Sequence, residues 1–411
     1  MHVLIVGAGI GGLVLAQSLL KQNISFEIFE RDQDKNARFQ GWAIVIHSII
    51  DQLLAVLPSD MPDLRESTDH LAPLDLPCQL VYYYGYREGK FGIQDTPGVF
   101  PMIRAERSKL RDWLLTKMPV QWGKHVTRIH QNEQGAEVFF ADGSKAKGDI
   151  VVGADGANSL VREHLLHKTN AQLLNVVPLS AIVGEVTLSG DDFKRQLALG
   201  HSAYNIINPE LGFIGFIGLH HVLADAASGK FYWMLMQPDS DIAKPDHWLH
   251  TSTQEQKRDH VLKTVAPLSP QLQEIFRLTP VSGIRKDLHV WKDLELDSIP
   301  AGRVALVGDA AHAMTPAGGV GAFHALIDAI QLGQVLTKLH QEGLAGNPGV
   351  VKQAVGAYHA KMLGRGAEAV RTSRASYEEA KKKAVTKEHF IPGLRPLPSV
   401  RPEDITLKVK A

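Results

Sequence analysis

A glycine loop at the N-terminus, a second glycine-bearing strand end far downstream and a β-branched, aromatic stretch between them predict an α/β protein. The expected architecture is a Rossmann-type dinucleotide-binding domain with an inserted, mostly antiparallel β-sheet domain and a helical C-terminal region. His2-Val3-Leu4-Ile5-Val6 is short and apolar, as a buried parallel strand requires, and it leads into Gly7-Ala8-Gly9-Ile10-Gly11-Gly12 and a helix over about 11–22. Ser25-Phe26-Glu27-Ile28-Phe29 follows as a second strand, and Arg38, Gly41 and Trp42 lie in a connecting segment. A helical pattern over 104–118 places Leu110, Trp113, Leu114 and Met118 on one face. Residues 126–130 and 136–140 read as a hairpin followed by an Asp142-Gly143 turn, and 149–152 as a buried strand ending in Gly153-Ala154-Asp155-Gly156.

Between 172 and 293 the composition changes, with strand-length runs at 182–188, 203–207, 213–219 and 231–236. The strand Arg303-Val304-Ala305-Leu306-Val307 then delivers Gly308-Asp309-Ala310-Ala311-His312. Helix returns from Ala322 through Leu326, Ile330 and Leu336, and again in a polar stretch near 375–384; the proline-punctuated tail from Pro392 reads as an irregular arm. The expected domains are 1–171 and 294–345 for the cofactor, 172–293 for the substrate, and 346–411 as a C-terminal helical region and tail.

Each residue of the first loop has a chemical reason. Gly7 permits the tight turn out of the strand, Gly9 lets backbone approach a pyrophosphate, and Gly12 lets the helix pack closely on the sheet. The helix start at Ile10 and Gly11 directs free N–H groups and the positive dipole end at phosphates. Glu30, with Arg31 beside it, ends the second strand where a carboxylate can accept both hydroxyls of an adenosine ribose. Together with the downstream Gly308-Asp309 strand end, these residues point to FAD.

Composition narrows the class. Lys plus Arg equals Asp plus Glu at 44 each, so no global charge draws the chain to nucleic acid or a membrane surface. The single cysteine, Cys78, excludes an intramolecular disulfide framework and a multi-cysteine metal site. No stretch has spanning length, and the first strand begins almost at once, leaving no room for a secretory signal; the expectation is a cytoplasmic monomer or homodimer. No metal site is expected, because no His, Asp and Glu group shows ligand spacing and His220-His221 would point to opposite sides of a strand.

The glycine loop with Glu30, the run Gly153-Ala154-Asp155-Gly156-Ala157-Asn158-Ser159-Leu160-Val161-Arg162, and the segment from Gly308-Asp309 through Pro316, Gly319, Gly321 and Asp328-Ala329 resemble the single-component FAD-dependent aromatic hydroxylases. This is the para-hydroxybenzoate hydroxylase-like group of flavoprotein monooxygenases. The resemblance implies that Asp309 accepts a hydrogen bond from an FAD ribityl hydroxyl and that backbone at Gly319, Val320, Gly321 and Ala322 lies against the pyrimidine side of the flavin, where N–H groups stabilise charge on reduction. Read without it, Asp309 is a helix N-cap and Asp155 a strand-ending turn; with it, Asp155 touches FAD and the nicotinamide donor. Arg107 matches the arginine that opens the cofactor-contacting helix, with Arg104 as the competing register, and Arg38 lies where the family places residues near a swinging flavin. Phe323 stands where the family commonly has asparagine. His312 and His324 flank this loop, either as acid–base groups or as hydrogen-bonded motif residues.

The implied activity is NADPH- or NADH-dependent reduction of non-covalently bound FAD, reaction with O2 to a C4a-hydroperoxide, and hydroxylation or epoxidation of an electron-rich small molecule, aromatic, polyketide, alkaloid or terpenoid, in secondary metabolism. The alternatives are a dehydrogenase or reductase on the same fold and a flavoprotein using FAD without redox turnover. Tyr204, Phe213, Phe216, Tyr232 and Trp233 suit either an aromatic guest or a core.

Overall fold

The computed structural model describes residues 1–84, 87–288, 290–316, 319–386 and 394–409. It divides into two compact units, one made of Met1–Thr68, Arg107–Asn175 and Lys292–Arg374, the other of Asp69–Glu106, Val176–Trp291 and Ala375–Ala411.

The first unit is built on a five-stranded parallel sheet ordered Val304–Leu306, Ile150–Gly153, His2–Val6, Ser25–Phe29 and Val120–Gln121. Val3, Leu4 and Ile5 at its centre are fully buried, which explains why that strand is apolar on both faces. The helix Ile10–Lys21 buries Leu13, Val14, Leu15 and Leu19 and packs against the helix Gly321–Gln341. The expected hairpin is present as Val126–Asn132 and Gly135–Phe140. A third strand, Lys145–Gly148, extends it beyond the Asp142-Gly143 turn.

Two boundaries move. The helix expected over 104–118 spans Arg107–Leu114, and Met102–Glu106 is a wholly buried strand. Arg104 tolerates that burial because its guanidinium donates to the Tyr232 hydroxyl at 2.9 Å and to the Leu219 carbonyl, partners that no local pattern reveals. The long helix Pro348–Thr386 also contributes to the cofactor unit as far as Arg374, so a boundary at 345/346 divides a packed unit. Tyr358 donates to the Leu306 carbonyl at 2.9 Å, and Arg374 grips Asp293 with two charge-assisted bonds of 2.5 and 2.6 Å.

The second unit is a seven-stranded sheet ordered Leu179–Ser189, Ser228–Pro238, Phe213–Val222, Ala203–Asn208, Gln79–Tyr84, Arg87–Gln94 and Arg395–Pro396. It is antiparallel except where Ala203–Asn208 runs parallel to Gln79–Tyr84. Thus residues 69–106, assigned from sequence to the cofactor domain, fall in this second unit, and 79–84 and 87–94 among them supply two strands of its sheet. Pairing to a strand so distant in sequence leaves no local trace.

The helices Gly190–Leu199, Gln254–Val265 and Pro270–Leu278 contribute Phe193, Leu197, Val261, Ile275 and Phe276 to one buried cluster with Trp233. Trp233 lies across Gly184, where an added Cβ would stand 2.2 Å from the indole, and its Nε1–H donates to Thr279 Oγ1 at 2.8 Å. Tyr204, Phe213, Tyr232 and Trp233 are therefore core residues, and Phe216 is half-buried against Tyr232.

The C-terminal tail corrects another expectation. Pro392 lies outside the described residues, but from Leu394 onward the tail is stitched to the sheet, with Leu397 N–H donating to the Lys90 carbonyl and Asp75 N–H to the Lys408 carbonyl, both at 2.8 Å. Ile405, 4% exposed, joins the core cluster. An irregular backbone finds these acceptors only after the sheet exists. Ile405→Ala should lower the stability of the protein by about 2–4 kcal/mol, the usual cost of truncating a buried isoleucine, as read from urea-denaturation midpoints with an unchanged slope.

Candidate functional site

The phosphate end is set by the first strand and its loop. Gly7 has φ +107°, and a Cβ there would lie 2.3 Å from the Ala154 carbonyl oxygen; a Cβ at Gly12 would lie 2.2 Å from the Gly7 carbonyl oxygen. Both glycines are therefore required by the protein itself. Gly9, at the N-cap, is different: a Cβ there would meet nothing nearer than 4.0 Å, and no side chain caps the helix. The N–H groups of Ile10, Gly11 and Gly12 have no intrahelical acceptor, so this end offers both donors and space.

Glu30 is 4% exposed and accepts the Ala8 N–H at 2.8 Å and the Asp32 N–H at 3.1 Å. Its carboxylate thus ties the second strand to the glycine loop. Arg111, not identified from sequence, completes the arrangement. It donates to the Ala8 and Lys35 carbonyls, both at 3.0 Å, and its Nη2 is buried without a hydrogen bond, 3.9 Å from Glu30. The signal was available: Arg111 lies one helical turn after Arg107.

At the opposite strand end, Gly308 has φ +61° and occupies the N-cap of the short helix Asp309–His312, so Asp309 is not the cap. The Asp309 carboxylate is accessible, and no described residue hydrogen-bonds to it. Desolvation by the surrounding protein raises its pKa, while His312, Arg107 and Arg162 pull it down.

Its backbone is fixed from behind by Asp328, fully buried, which accepts the Gly308 N–H at 2.8 Å, His312 Nε2 at 2.6 Å and Arg365 Nη2 at 2.5 Å. Burial opposes charge on this pair more than any other single influence, but the mutual hydrogen bond and the neighbouring opposite charges together outweigh it, so the His312 pKa is raised and that of Asp328 lowered. His324, pushed down to about 4 by burial and by Arg365, lies 2.8 Å from Arg365 through Nδ1. His312 is buried against Gly366, where a Cβ would come within 2.7 Å of its ring. His312 is thus a hydrogen-bond partner of Asp328, and His324 of Arg365.

Arg107 opens its helix, as the resemblance implied, and its N–H donates to the Trp42 carbonyl at 3.0 Å. Gly41, at φ +95°, leaves room for the Arg107 guanidinium, which a Cβ there would meet at 3.2 Å. Desolvation lowers the Arg107 pKa and Asp309 opposes the shift, placing these two charges in one electrostatic environment. Arg38 is exposed and paired with Asp32 at 2.7 Å, and Arg31 is exposed.

Asp155 accepts the Ser159 hydroxyl and the N–H groups of Leu160 and Val161 at 2.8 and 3.1 Å, and so supports the start of the helix Leu160–Leu166, whose N-cap is Ser159. Arg162, fully buried, links that helix to the other motif by donating to the Ala310 carbonyl at 2.9 Å and to the Ala157 carbonyl at 2.6 Å.

Pro316 and Gly319 are exposed, and the Gly319 N–H donates to the Pro316 carbonyl at 2.9 Å. Gly319 has φ +65°, whereas a Cβ at Gly321 would meet only Met314 at 3.6 Å; the protein demands glycine at the first position and not at the second. Val320 is the N-cap of the helix beginning at Gly321, without a side-chain cap, leaving the N–H groups of Gly321, Ala322 and Phe323 uncommitted within the helix. The Phe323 ring stacks on His47 at 5.9 Å and 17°.

The donor-rich glycine loop, the Asp309 carboxylate and the uncapped helix start fit the pyrophosphate, ribityl and flavin portions of FAD.

One expectation fails in the sheet-rich unit. His220 and His221 do not diverge, because the strand Phe213–Val222 carries a bulge between Leu219 and His221. Their ring centroids are 4.5 Å apart, and Glu106 Oε1 lies 3.8 Å from each. The absence of ligand spacing in sequence therefore did not predict the absence of a ligand cluster.

Three outcomes follow from this geometry. Glu30→Ala should weaken FAD by roughly ten- to a hundredfold, since it removes a charged acceptor and frees the Ala8 N–H, and a fluorescence titration measures the change. Asp328→Asn should destabilise the fold by about 3–5 kcal/mol by leaving Arg365 and His312 uncompensated, as denaturation would show.

The pH dependence has a definite sign. Stability from His312 is present below its unfolded pKa of 6.5 and is lost as pH rises through its raised folded value. Stability from Asp328 is present above 3.8 and is lost as pH falls through its lowered value. The stability difference between wild type and His312→Asn should accordingly be larger at about pH 6 than at about pH 9, measured by urea denaturation.

The family described as FAD binding domain matches residues 105–372, and the NAD(P)-binding Rossmann-like domain matches residues 5–38. The chain is 51% identical over 374 residues to the FAD-dependent monooxygenase thnD of Trichoderma harzianum, covering 91% of this chain and 92% of that one. It is 29% identical over 346 residues to an FAD-dependent urate hydroxylase of Klebsiella oxytoca, covering 82% and 81%. Among solved structures, a Photorhabdus luminescens protein assigned as an FAD containing monooxygenase superposes with a TM-score of 0.72 at 26% identity, over 92% of this chain and 98% of that one. A variant of Klebsiella pneumoniae HpxO complexed with FAD has the same fold, with a TM-score of 0.70 at 24% identity over 94% and 92%. With these matches spanning both glycine segments and the sheet between them, the chain belongs to the FAD binding domain family and is an FAD-dependent monooxygenase of the para-hydroxybenzoate hydroxylase-like group.

Proposed function

We propose that this monooxygenase hydroxylates or epoxidises an electron-rich small molecule of secondary metabolism, aromatic, polyketide, alkaloid or terpenoid, acting in the cytoplasm as a monomer or homodimer. The single observation that carries the reading is the Asp309 carboxylate, accessible and without a hydrogen-bond partner among the described residues, on a backbone held from behind by Asp328. Non-covalently bound FAD supplies reduction by NAD(P)H and activation of O2, with one oxygen atom entering the substrate and the other leaving as water.

In this reading Gly9, Ile10, Gly11 and Gly12 receive the pyrophosphate and Glu30 the adenosine ribose. Arg111 balances the charge of Glu30. Asp309 accepts from the ribityl chain, while the first turn at Gly321 and Ala322 directs N–H dipoles at the flavin pyrimidine. Arg107, itself exposed, supplies a positive charge that draws the Asp309 carboxyl toward its ionised form. Arg38, exposed beside Arg107, contacts the cofactor or the nicotinamide donor as the family pattern implies. Asp155 supports the start of its helix, so its contribution to FAD is made through the Gly156 backbone, at φ +80° with open space around it.

Incubation with candidate substrates, NADPH or NADH and 18O2 tests the activity. The expected result is one labelled oxygen atom in the product for each NAD(P)H consumed. A dehydrogenase or reductase would yield product without label. Asp309→Ala should shift most reducing equivalents to hydrogen peroxide or slow flavin reduction, because misplacing the cofactor by about one ångström costs on the order of a hundredfold in rate. Unchanged coupling and unchanged flavin content in that variant would remove Asp309 from the site.

A further inference from the structure

We propose that Glu106, His220 and His221 form a binding site for one divalent transition-metal ion, with two imidazoles and one carboxylate as its ligands. The three residues lie within the sheet-rich unit, Glu106 at the end of the strand Met102–Glu106 and the histidines at the end of Phe213–Val222. One ligand atom from each residue lies within 4.8 Å of the other two.

Adjacent residues of a regular strand face opposite ways, so two neighbouring histidines ordinarily cannot share an ion. The bulge at Leu219–His221 removes that constraint, and the framework holds it in place. The Leu219 N–H donates to the Ser202 carbonyl at 2.9 Å, the Leu219 carbonyl accepts from Arg104, and the Val222 N–H donates to the His70 carbonyl at 3.0 Å. Both sides of the histidine pair are thereby anchored.

Glu106 Oε1 stands 3.8 Å from His220 Nε2 and 3.8 Å from His221 Nδ1, so side-chain movements of about 1 Å bring all three to zinc-ligand distances of roughly 2.0–2.2 Å. The Glu106 side chain is 10% exposed, against 18% and 21% for the histidines, which leaves the imidazole side open to an incoming ion and to a fourth, exchangeable ligand. Two nitrogens and one oxygen suit Zn2+, Co2+ or Ni2+; Mg2+ and Ca2+ prefer oxygen ligands alone.

The test uses tag-free, FAD-loaded protein. Zn2+ is titrated against a chromophoric chelator, and Co2+ is followed by its visible absorption. The expected result is one Zn2+ equivalent per chain, weakened at least tenfold by His221→Asn, His220→Asn and Glu106→Gln and unaffected by His130→Ala at an exposed position elsewhere. Co2+ should give visible bands that the same three substitutions abolish. Circular dichroism and flavin content identify variants that fold, and His221→Asn, the least disruptive, suffices for the decision. No Zn2+ equivalent in the wild-type protein, or one that the folded variants retain at full affinity, overturns the proposal.

Discussion

The cofactor unit depends on one buried carboxylate. Asp328 gathers a backbone N–H from Gly308, an imidazole from His312 and a guanidinium from Arg365, thereby joining a strand end, a short helix and two long helices. A lone charge in that position would be costly; three charge-assisted or backbone partners make it stable and fix the geometry around it. The Asp309 carboxylate can then stay accessible with no hydrogen-bond partner among the described residues, because its main chain does not depend on its side chain for support.

The same division between supporting and presenting groups recurs at the other strand ends. Glu30 and Arg111 hold the glycine loop through Ala8, leaving the first-turn N–H groups of the helix uncommitted. Asp155 accepts the first N–H groups of one helix and Arg162 ties that helix to Ala310, so the second motif is joined to the third.

In the sheet-rich unit the governing constraint is register. Trp233 fits because Gly184 stands opposite it, and the helices around Phe193 and Phe276 close over that ring. Tyr204, Phe213 and Trp233, which suited either a guest or a core, lie in that core. The bulge that brings His220 and His221 together likewise arises from strand pairing, which no alternation rule applied to one strand can anticipate.

The sequence by itself determined the Rossmann-type unit, the glycine loop and its acid Glu30, the Gly308-Asp309 strand end and the β character of the inserted region. These features rest on short-range requirements: an apolar run for a buried strand, glycine where a Cβ would strike backbone at 2.2–2.3 Å, and a carboxylate at a strand end. It also settled on Arg107 at the helix start, with Arg104 as the rival. Only the tertiary structure decided that Arg104 is a buried sheet residue, that 69–106 and the C-terminal tail belong to the second unit, that Asp155 supports a helix start, and that Glu106 meets two histidines. Each of those outcomes depends on a partner outside the local pattern, and the energy of a contact made across such a separation is not encoded in the spacing of neighbouring residues.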